Sequence, residues 1–294
     1  MVTRRSFIKS SALISAGVVF SPSFVNYDKE YIGLQLYTVR DAMASDPKET
    51  LRKVSKIGYN SVEAAGYSGD GLFYNLAPKI FSQILKDNGL IIPSSHYRYG
   101  EDLKDGKEVP GTILHNWQKA VDDASSIGIK YMVCAYLSNT ERGKIEHYKM
   151  VSENLNKAGE ICKKSGIQLC YHNHDFEFIK ENDQIPYITL LDSTDKDLVK
   201  MEMDMYWVTK AGYNPVDLFK AHPNRFVLWH VKDMAKTEGK EFTEVGNGII
   251  DFKVIFAHAK EAGMKYFFVE EDKCPVSPFE SISQSLSYIK ANLV

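Results

Sequence analysis

Short apolar runs recur along the chain, and the stretches between them carry apolar residues every three or four positions. The runs are Ile32–Tyr37, Ser61–Ala65, Ile91–Ser95, Tyr131–Ala135, Gln168–His172, Val199–Asp204, Phe226–His230 and Tyr266–Glu270. A parallel strand covered on both faces reads as such a run, whereas the longer period marks an amphipathic helix. Leu51, Val54 and Ile57 make one helical face behind Asp46-Pro47-Lys48-Glu49, a cap followed by proline at the first helical position. Leu155, Ala158 and Ile161 repeat the pattern within Ser152–Lys163. Gly58, Gly128, Gly166 and Gly263 each follow a helical stretch and precede a run, where a left-handed residue can end the helix.

Alternation of this kind predicts a parallel sheet, since parallel neighbours need crossover connections. Eight repeats predict a closed (β/α)8 TIM barrel occupying residues 25–294 as one domain. An open doubly wound sheet would place a glycine-rich phosphate loop after its first strand, and Leu36-Tyr37-Thr38-Val39-Arg40 contains no glycine.

The first 24 residues stand apart. Thr3-Arg4-Arg5-Ser6-Phe7-Ile8-Lys9 precedes the acid-free, mildly apolar Ala12–Phe20 and resembles a twin-arginine export signal. The apolar part is too short for a permanent anchor, and Ser21-Pro22-Ser23 breaks a helix. The resemblance implies a periplasmic or otherwise exported protein, carried folded by the twin-arginine translocase, with no stable membrane insertion after signal removal.

Charge and cysteine content narrow the partners. The formal charge of −2 becomes −5 once Arg4, Arg5 and Lys9 are set aside, because that segment holds no acid. A mildly acidic body argues against nucleic acid as a partner. Cys134, Cys162, Cys170 and Cys274 include no Cys-x-x-Cys pair, so zinc-ribbon and thioredoxin-like chemistry lack support. Cys134 and Cys170 read as buried free thiols rather than a bridge.

Four of the runs end in imidazole or carboxylate: His172, Asp204, His230 and Glu270. In a barrel, the carboxyl ends of the strands meet at one mouth, so these four form a candidate site for one divalent metal. Mixed nitrogen and oxygen ligands suit Mn²⁺, Co²⁺, Zn²⁺ or Fe²⁺ better than Mg²⁺.

Five motifs carry a resemblance: Gly33-Leu34-Gln35-Leu36-Tyr37, Gly58-Tyr59-Asn60-Ser61-Val62-Glu63, Tyr171-His172-Asn173-His174-Asp175-Phe176-Glu177-Phe178, His230-Val231-Lys232-Asp233 and Glu244–Phe252. In this order they resemble the xylose-isomerase-like sugar isomerase/epimerase family. The resemblance implies one divalent metal held on strands five to eight by carboxylate, carboxylate, histidine and carboxylate. Asp204, His230 and Glu270 match the last three. On strand five the family's leucine-x-leucine-glutamate-x-histidine is replaced by Leu169-Cys170-Tyr171-His172-Asn173-His174, so either His172 ligates or Glu177 reaches back. Trp207 stands where the family usually has a histidine.

The implied function is a sugar isomerase/epimerase-like enzyme that abstracts a proton next to a carbonyl through an enediolate whose charge a metal offsets. Loss of one glutamate counts against symmetric ketose epimerisation and leaves one-base isomerisation or β-elimination from a keto-sugar or keto-glycoside. Glu270, His172 and Lys232 are the acid/base candidates. Glu63, His96, Tyr37, His174, Trp207 and Asp233 are candidates for contact with a small-molecule sugar substrate. Two of these have structural alternatives: Glu63 pairing with Lys232, and Asp233 capping the next segment. Tyr67, Tyr97, Tyr136 and Tyr206 also follow strand ends and could line a sugar pocket. A non-catalytic periplasmic carbohydrate-binding barrel is the alternative outside enzymology. A homodimer is compatible with the architecture, although no segment identifies its interface.

Overall fold

The first strand is the shortest and seals the ring. In the computed structural model, which describes residues 31–100 and 108–294, eight parallel strands close a barrel: β1 (Gly33–Gln35), β2 (Ser61–Ala64), β3 (Ile91–Tyr97), β4 (Tyr131–Cys134), β5 (Gln168–His172), β6 (Val199–Asp204), β7 (Phe226–Val231) and β8 (Tyr266–Val269). The export signal expected over residues 1–24 lies outside the described residues. Each strand pairs with its neighbours in sequence, and β1 pairs with both β2 and β8. The (β/α)8 architecture expected from the alternating runs is the one observed.

Local chemistry explains where the strands stop. The expected first strand reached Tyr37, but the Gln35 side chain accepts a hydrogen bond from Tyr37 N at 3.0 Å and caps a 3-10 turn over Leu36–Val39. At the β1/β8 seam, a Cβ on Gly33 would lie 2.3 Å from the Phe268 ring and 2.6 Å from Phe267 O, so only glycine fits. Asp46 caps the helix Pro47–Ile57 by accepting from Glu49 N, as its sequence predicts. Gly58 and Gly263 end their helices at φ of 116° and 83°, the left-handed conformation expected of them. The helix after β4 begins at Ile145, earlier than the expected Ser152, and runs to Lys164.

Two apolar layers result. The larger lies between strands and helices; a smaller one fills the barrel and includes Val133, Cys170, Leu228 and Phe268. Strand residues two apart share a face. Cys170 therefore sits one layer below His172, Leu228 below His230, and Phe268 below Glu270. Burying a side chain of Leu or Phe size stabilises the fold by roughly 1.5–3 kcal/mol. This apolar plug forms a water-poor floor under the strand ends. Cys134, Cys162 and Cys170 are buried free thiols, and Cys274 is also unbridged. Burial pushes the Cys170 thiol well above its ordinary range. Among the described residues, no helix is long and apolar enough to cross a membrane.

Candidate metal centre

The ligand candidates stand on this floor. β5 delivers His172, β6 delivers Glu202 and Asp204, β7 delivers His230, and Glu270 follows β8. Each is buried. One donor atom each from His172, Asp204, His230 and Glu270 lie within 4.8 Å of one another. Opposite ligands of one ion with bonds near 2.1 Å stand about 4.2 Å apart, so small side-chain adjustments would let the set close on one ion. Burial also leaves Glu202 Oε1 and Asp204 Oδ2 without a well-aligned hydrogen-bond donor, although the Lys232 ammonium lies 2.8 Å from the latter. Buried carboxylate oxygens with few donors of their own, converging with imidazole nitrogens, are what a cation site requires, so the donor set fits a divalent metal.

His230 occupies the centre of the network. Its Nδ1 lies 2.7 Å from Glu270 Oε2, and its Nε2 lies 2.7 Å from Glu63 Oε2. Glu63 also accepts from Gln35 Nε2 at 2.8 Å and from the Ser94 hydroxyl. Burial alone would raise the Glu63 pKa, yet the neighbouring His96 and His230 imidazoles hold it below the usual carboxylate range. Glu63 therefore does not pair with Lys232, the structural alternative considered for it. It orients the His230 ring.

Glu202 gathers the three imidazoles. Its Oε2 lies 2.7 Å from His96 Nε2, 3.2 Å from His172 Nδ1 and 3.3 Å from His230 Nε2. Burial and the nearby Glu63 raise the Glu202 carboxyl to about 7. Burial opposes a proton on His96, but Glu63 and Glu202 outweigh it and lift that imidazole to about 10. His230 is raised as well, by Glu202 and Glu270 against burial. His172 moves in the opposite direction, because burial and the adjacent His230 keep it neutral.

Lys232 is bound by three acids. Its Nζ stands 2.8 Å from Asp204 Oδ2, 2.7 Å from Glu270 Oε2 and 3.1 Å from Asp272 Oδ2. Although burial disfavours the ammonium, Asp204 and Glu270 hold its pKa well above the ordinary lysine value. Lys232 is thus an ammonium and not a free amine that could form a Schiff base.

A cavity of about 800 Å³ opens onto these groups; His96, His172, Lys232 and Glu270 line it, and Asp272 and His174 extend the polar wall. Tyr37, Tyr67, Tyr97 and Tyr136 supply aromatic surface, as their strand-end positions suggest. Tyr206 and Trp207 are not among its lining residues; they pack with Phe242 beside the mouth. Trp207 still approaches the site indirectly, 5.5 Å from the His174 ring. His174 stacks on Phe176, and burial pushes its pKa down to about 3, leaving a neutral imidazole at the cavity edge.

Two side chains for which alternatives were open are engaged elsewhere. The Asp233 carboxylate accepts from the backbone N–H groups of Met234, Gly246, Gly248 and Ile250 at 2.8 to 3.2 Å. With its oxygens so occupied and its side chain buried, it staples the 246–250 loop, which matches the structural alternative rather than sugar contact. Glu177 accepts from the Tyr171 hydroxyl at 2.7 Å and His174 N at 2.8 Å, so its carboxylate is committed to its own loop. His172, not Glu177, joins the cluster.

The strand-end pattern did not single out Glu202, Gln35, Ser94 or Asp272. Glu202 carried a usable signal: it precedes Asp204 by two residues and therefore shares its inward face.

Comparison with known proteins gives four findings. The family model described as "Xylose isomerase-like TIM barrel" matches residues 51–292. An inosose dehydratase of Clostridium perfringens is 29% identical over 260 residues, spanning 77% of this chain and 86% of the relative. A sugar phosphate isomerase/epimerase structure from Parabacteroides distasonis is 30% identical with a TM-score of 0.76, covering 92% of this chain and 96% of that one. A barrel from Mycobacterium smegmatis, solved in complex with magnesium, shares the fold at a TM-score of 0.69 and 16% identity, covering 92% of this chain and 98% of that one.

Proposed function

The chain belongs to the xylose isomerase-like TIM barrel family, and from that membership we propose that it is a divalent-metal-dependent dehydratase of keto-polyols. It takes a proton from the carbon next to a ketone and then expels the hydroxyl group of the following carbon as water. The observation that carries this reading is the Glu270 carboxylate and Lys232 ammonium, 2.7 Å apart and both facing the cavity.

A divalent ion held by His172, Asp204, His230 and Glu270 would supply the electrophile that withdraws charge from the ketone oxygen. Glu270 accepts the proton as the carbon–hydrogen bond breaks. Lys232 donates a proton to the departing hydroxyl as the carbon–oxygen bond breaks, and a carbon–carbon double bond conjugated to the ketone forms. Glu270 then holds one proton and Lys232 lacks one, and transfer across their contact restores both. Water and the unsaturated ketone are the net products.

The position of His172 favours this chemistry over epimerisation. His172, kept neutral by burial, holds the strand-five position at which the family resemblance implies the second carboxylate that symmetric proton exchange would use. The dehydratase relative agrees with this reading. Aldose–ketose isomerisation is the second reading, favoured by the name of the Parabacteroides distasonis neighbour and requiring only one base.

The test is to incubate metal-loaded protein with cyclic and open-chain keto-polyols in deuterated water. Elimination yields an enone absorbance and loss of one water by mass. Ketose converted to aldose without enone would replace the dehydratase reading with isomerisation. As part of the proposal, the Arg4-Arg5 signal exports the enzyme. Replacing both arginines with lysine should leave it in the cytoplasm, and unchanged fractionation would argue against that route.

A further inference from the structure

His172 and His230 each present their two ring nitrogens to different carboxylates. On His172, Nδ1 lies 3.2 Å from Glu202 Oε2 while Nε2 lies 3.8 Å from Asp204 Oδ2. On His230, Nε2 lies 3.3 Å from Glu202 Oε2 while Nδ1 lies 2.7 Å from Glu270 Oε2 and 4.0 Å from Asp204 Oδ2. Both rings therefore have one edge toward Asp204 and Glu270 and the other toward Glu202.

The Glu202 side forms a second donor set. His96, His172, Glu202 and His230 also offer one atom each within 4.8 Å of one another. Glu202 is fully buried, and among the described residues its Oε1 has no hydrogen-bond partner. His96 lines the cavity, so the set is open to ions from the same mouth.

We propose that the barrel has two alternative positions for a single ion: an inner position with three imidazoles and Glu202 that takes Zn²⁺, and an outer position with two imidazoles, Asp204 and Glu270 that takes Mn²⁺. Imidazole-rich sets suit Zn²⁺, whereas carboxylate and water suit Mn²⁺. Occupancy is exclusive because each neutral ring binds through one nitrogen and keeps the proton on the other. Simultaneous occupancy would require two bridging imidazolates. When the outer position is filled, His230 binds through Nδ1 and donates Nε2–H to Glu63. When the inner position is filled, the same ring turns its donor role toward Glu270. Zinc thus rests on the Glu202 side, away from the Glu270–Lys232 pair, and is a holding state for the site. This inference uses the outer position of the proposed function but not the reaction assigned to it.

Crystals of the full chain grown with Zn²⁺ alone and with Mn²⁺ alone, measured at each metal's absorption edge, test the proposal directly. The expected zinc peak lies among His96, His172, Glu202 and His230, and the manganese peak among His172, Asp204, His230 and Glu270. One shared position for both metals overturns it. In competition titrations, His96→Gln should weaken zinc by about tenfold or more and leave manganese little changed, and Asp204→Asn should do the reverse. Equal loss of both metals in either variant overturns it. A shared outer position would leave the dehydratase reading intact, whereas absence of manganese from the outer position would count against both.

Discussion

The Lys232 ammonium lies 2.7 Å from Glu270 Oε2, inside the set of groups that would hold a divalent cation. It also touches Asp204, a second member of that set, at 2.8 Å. A resident cation of the chain's own thus competes electrostatically with an incoming one, and Asp272 at 3.1 Å offers it a place to withdraw. Lys232→Met should therefore raise affinity for Mn²⁺ by roughly tenfold, equivalent to about 1.4 kcal/mol, while abolishing turnover of a keto-polyol. Isothermal titration paired with a turnover assay checks both, and weaker metal binding would refute the competition.

Glu63 acts through His230. Glu63→Gln preserves size and keeps an acceptor for Ser94 but removes the charge that fixes the His230 ring at 2.7 Å. Manganese affinity should fall by about 10- to 100-fold. Thermal unfolding of the metal-free variant should show that the fold persists, and unaltered affinity would mean that His230 needs no orienting partner.

The Asp233 staple should be visible in stability rather than chemistry. Asp233→Ala leaves four backbone N–H groups around the 246–250 loop without their carboxylate. A loss on the order of 2–4 kcal/mol in denaturant unfolding is expected, with Asp233→Asn intermediate. A change below ~0.5 kcal/mol would show that solvent satisfies the loop equally well.

Glu271 gives the fold a pH dependence. Burial and the nearby Glu244 raise its carboxyl to about 7, above the ordinary 4.5. The folded state holds that proton more tightly than the unfolded chain. Its stabilising contribution is complete below about pH 4.5 and fades as pH rises through about 7. Glu271→Gln should therefore unfold at higher temperature than the unaltered protein at pH 8 and show little difference near pH 4.5. Parallel melting curves for the two proteins would reveal the opposite slope if Glu271 were instead stabilised by its charge.

The sequence pattern located the barrel well because its strands are covered on both faces. Gln168–His172 and Val199–Asp204 have the bounds the apolar runs indicate. The first strand was overrun because a side-chain cap, Gln35 onto Tyr37 N, ends it, and apolar character continues through the turn. Strand-end chemistry brought out His172, Asp204, His230 and Glu270 for the same reason that the fold was readable: in parallel order the strand ends meet at one mouth. Glu202 escaped notice because it lies within a strand, where an acid between Met201 and Met203 reads as an interruption of the core. Its role depends on His96 and His172 arriving from two other strands, a contact set by ring closure. Asp233 reads as a candidate for sugar contact because it follows His230, but the loop that claims it comes more than ten residues later in the chain.

The Gly33–Phe268 seam makes the barrel a structure that exists only late in synthesis. Until Phe268 emerges, β1 and β7 have open edges, and a nascent or truncated chain ending before β8 exposes hydrogen-bonding groups at both. A side chain at position 33 would press on Phe267 O and the Phe268 ring at this seam, so the missing Cβ of one glycine is what lets the last strand close the ring.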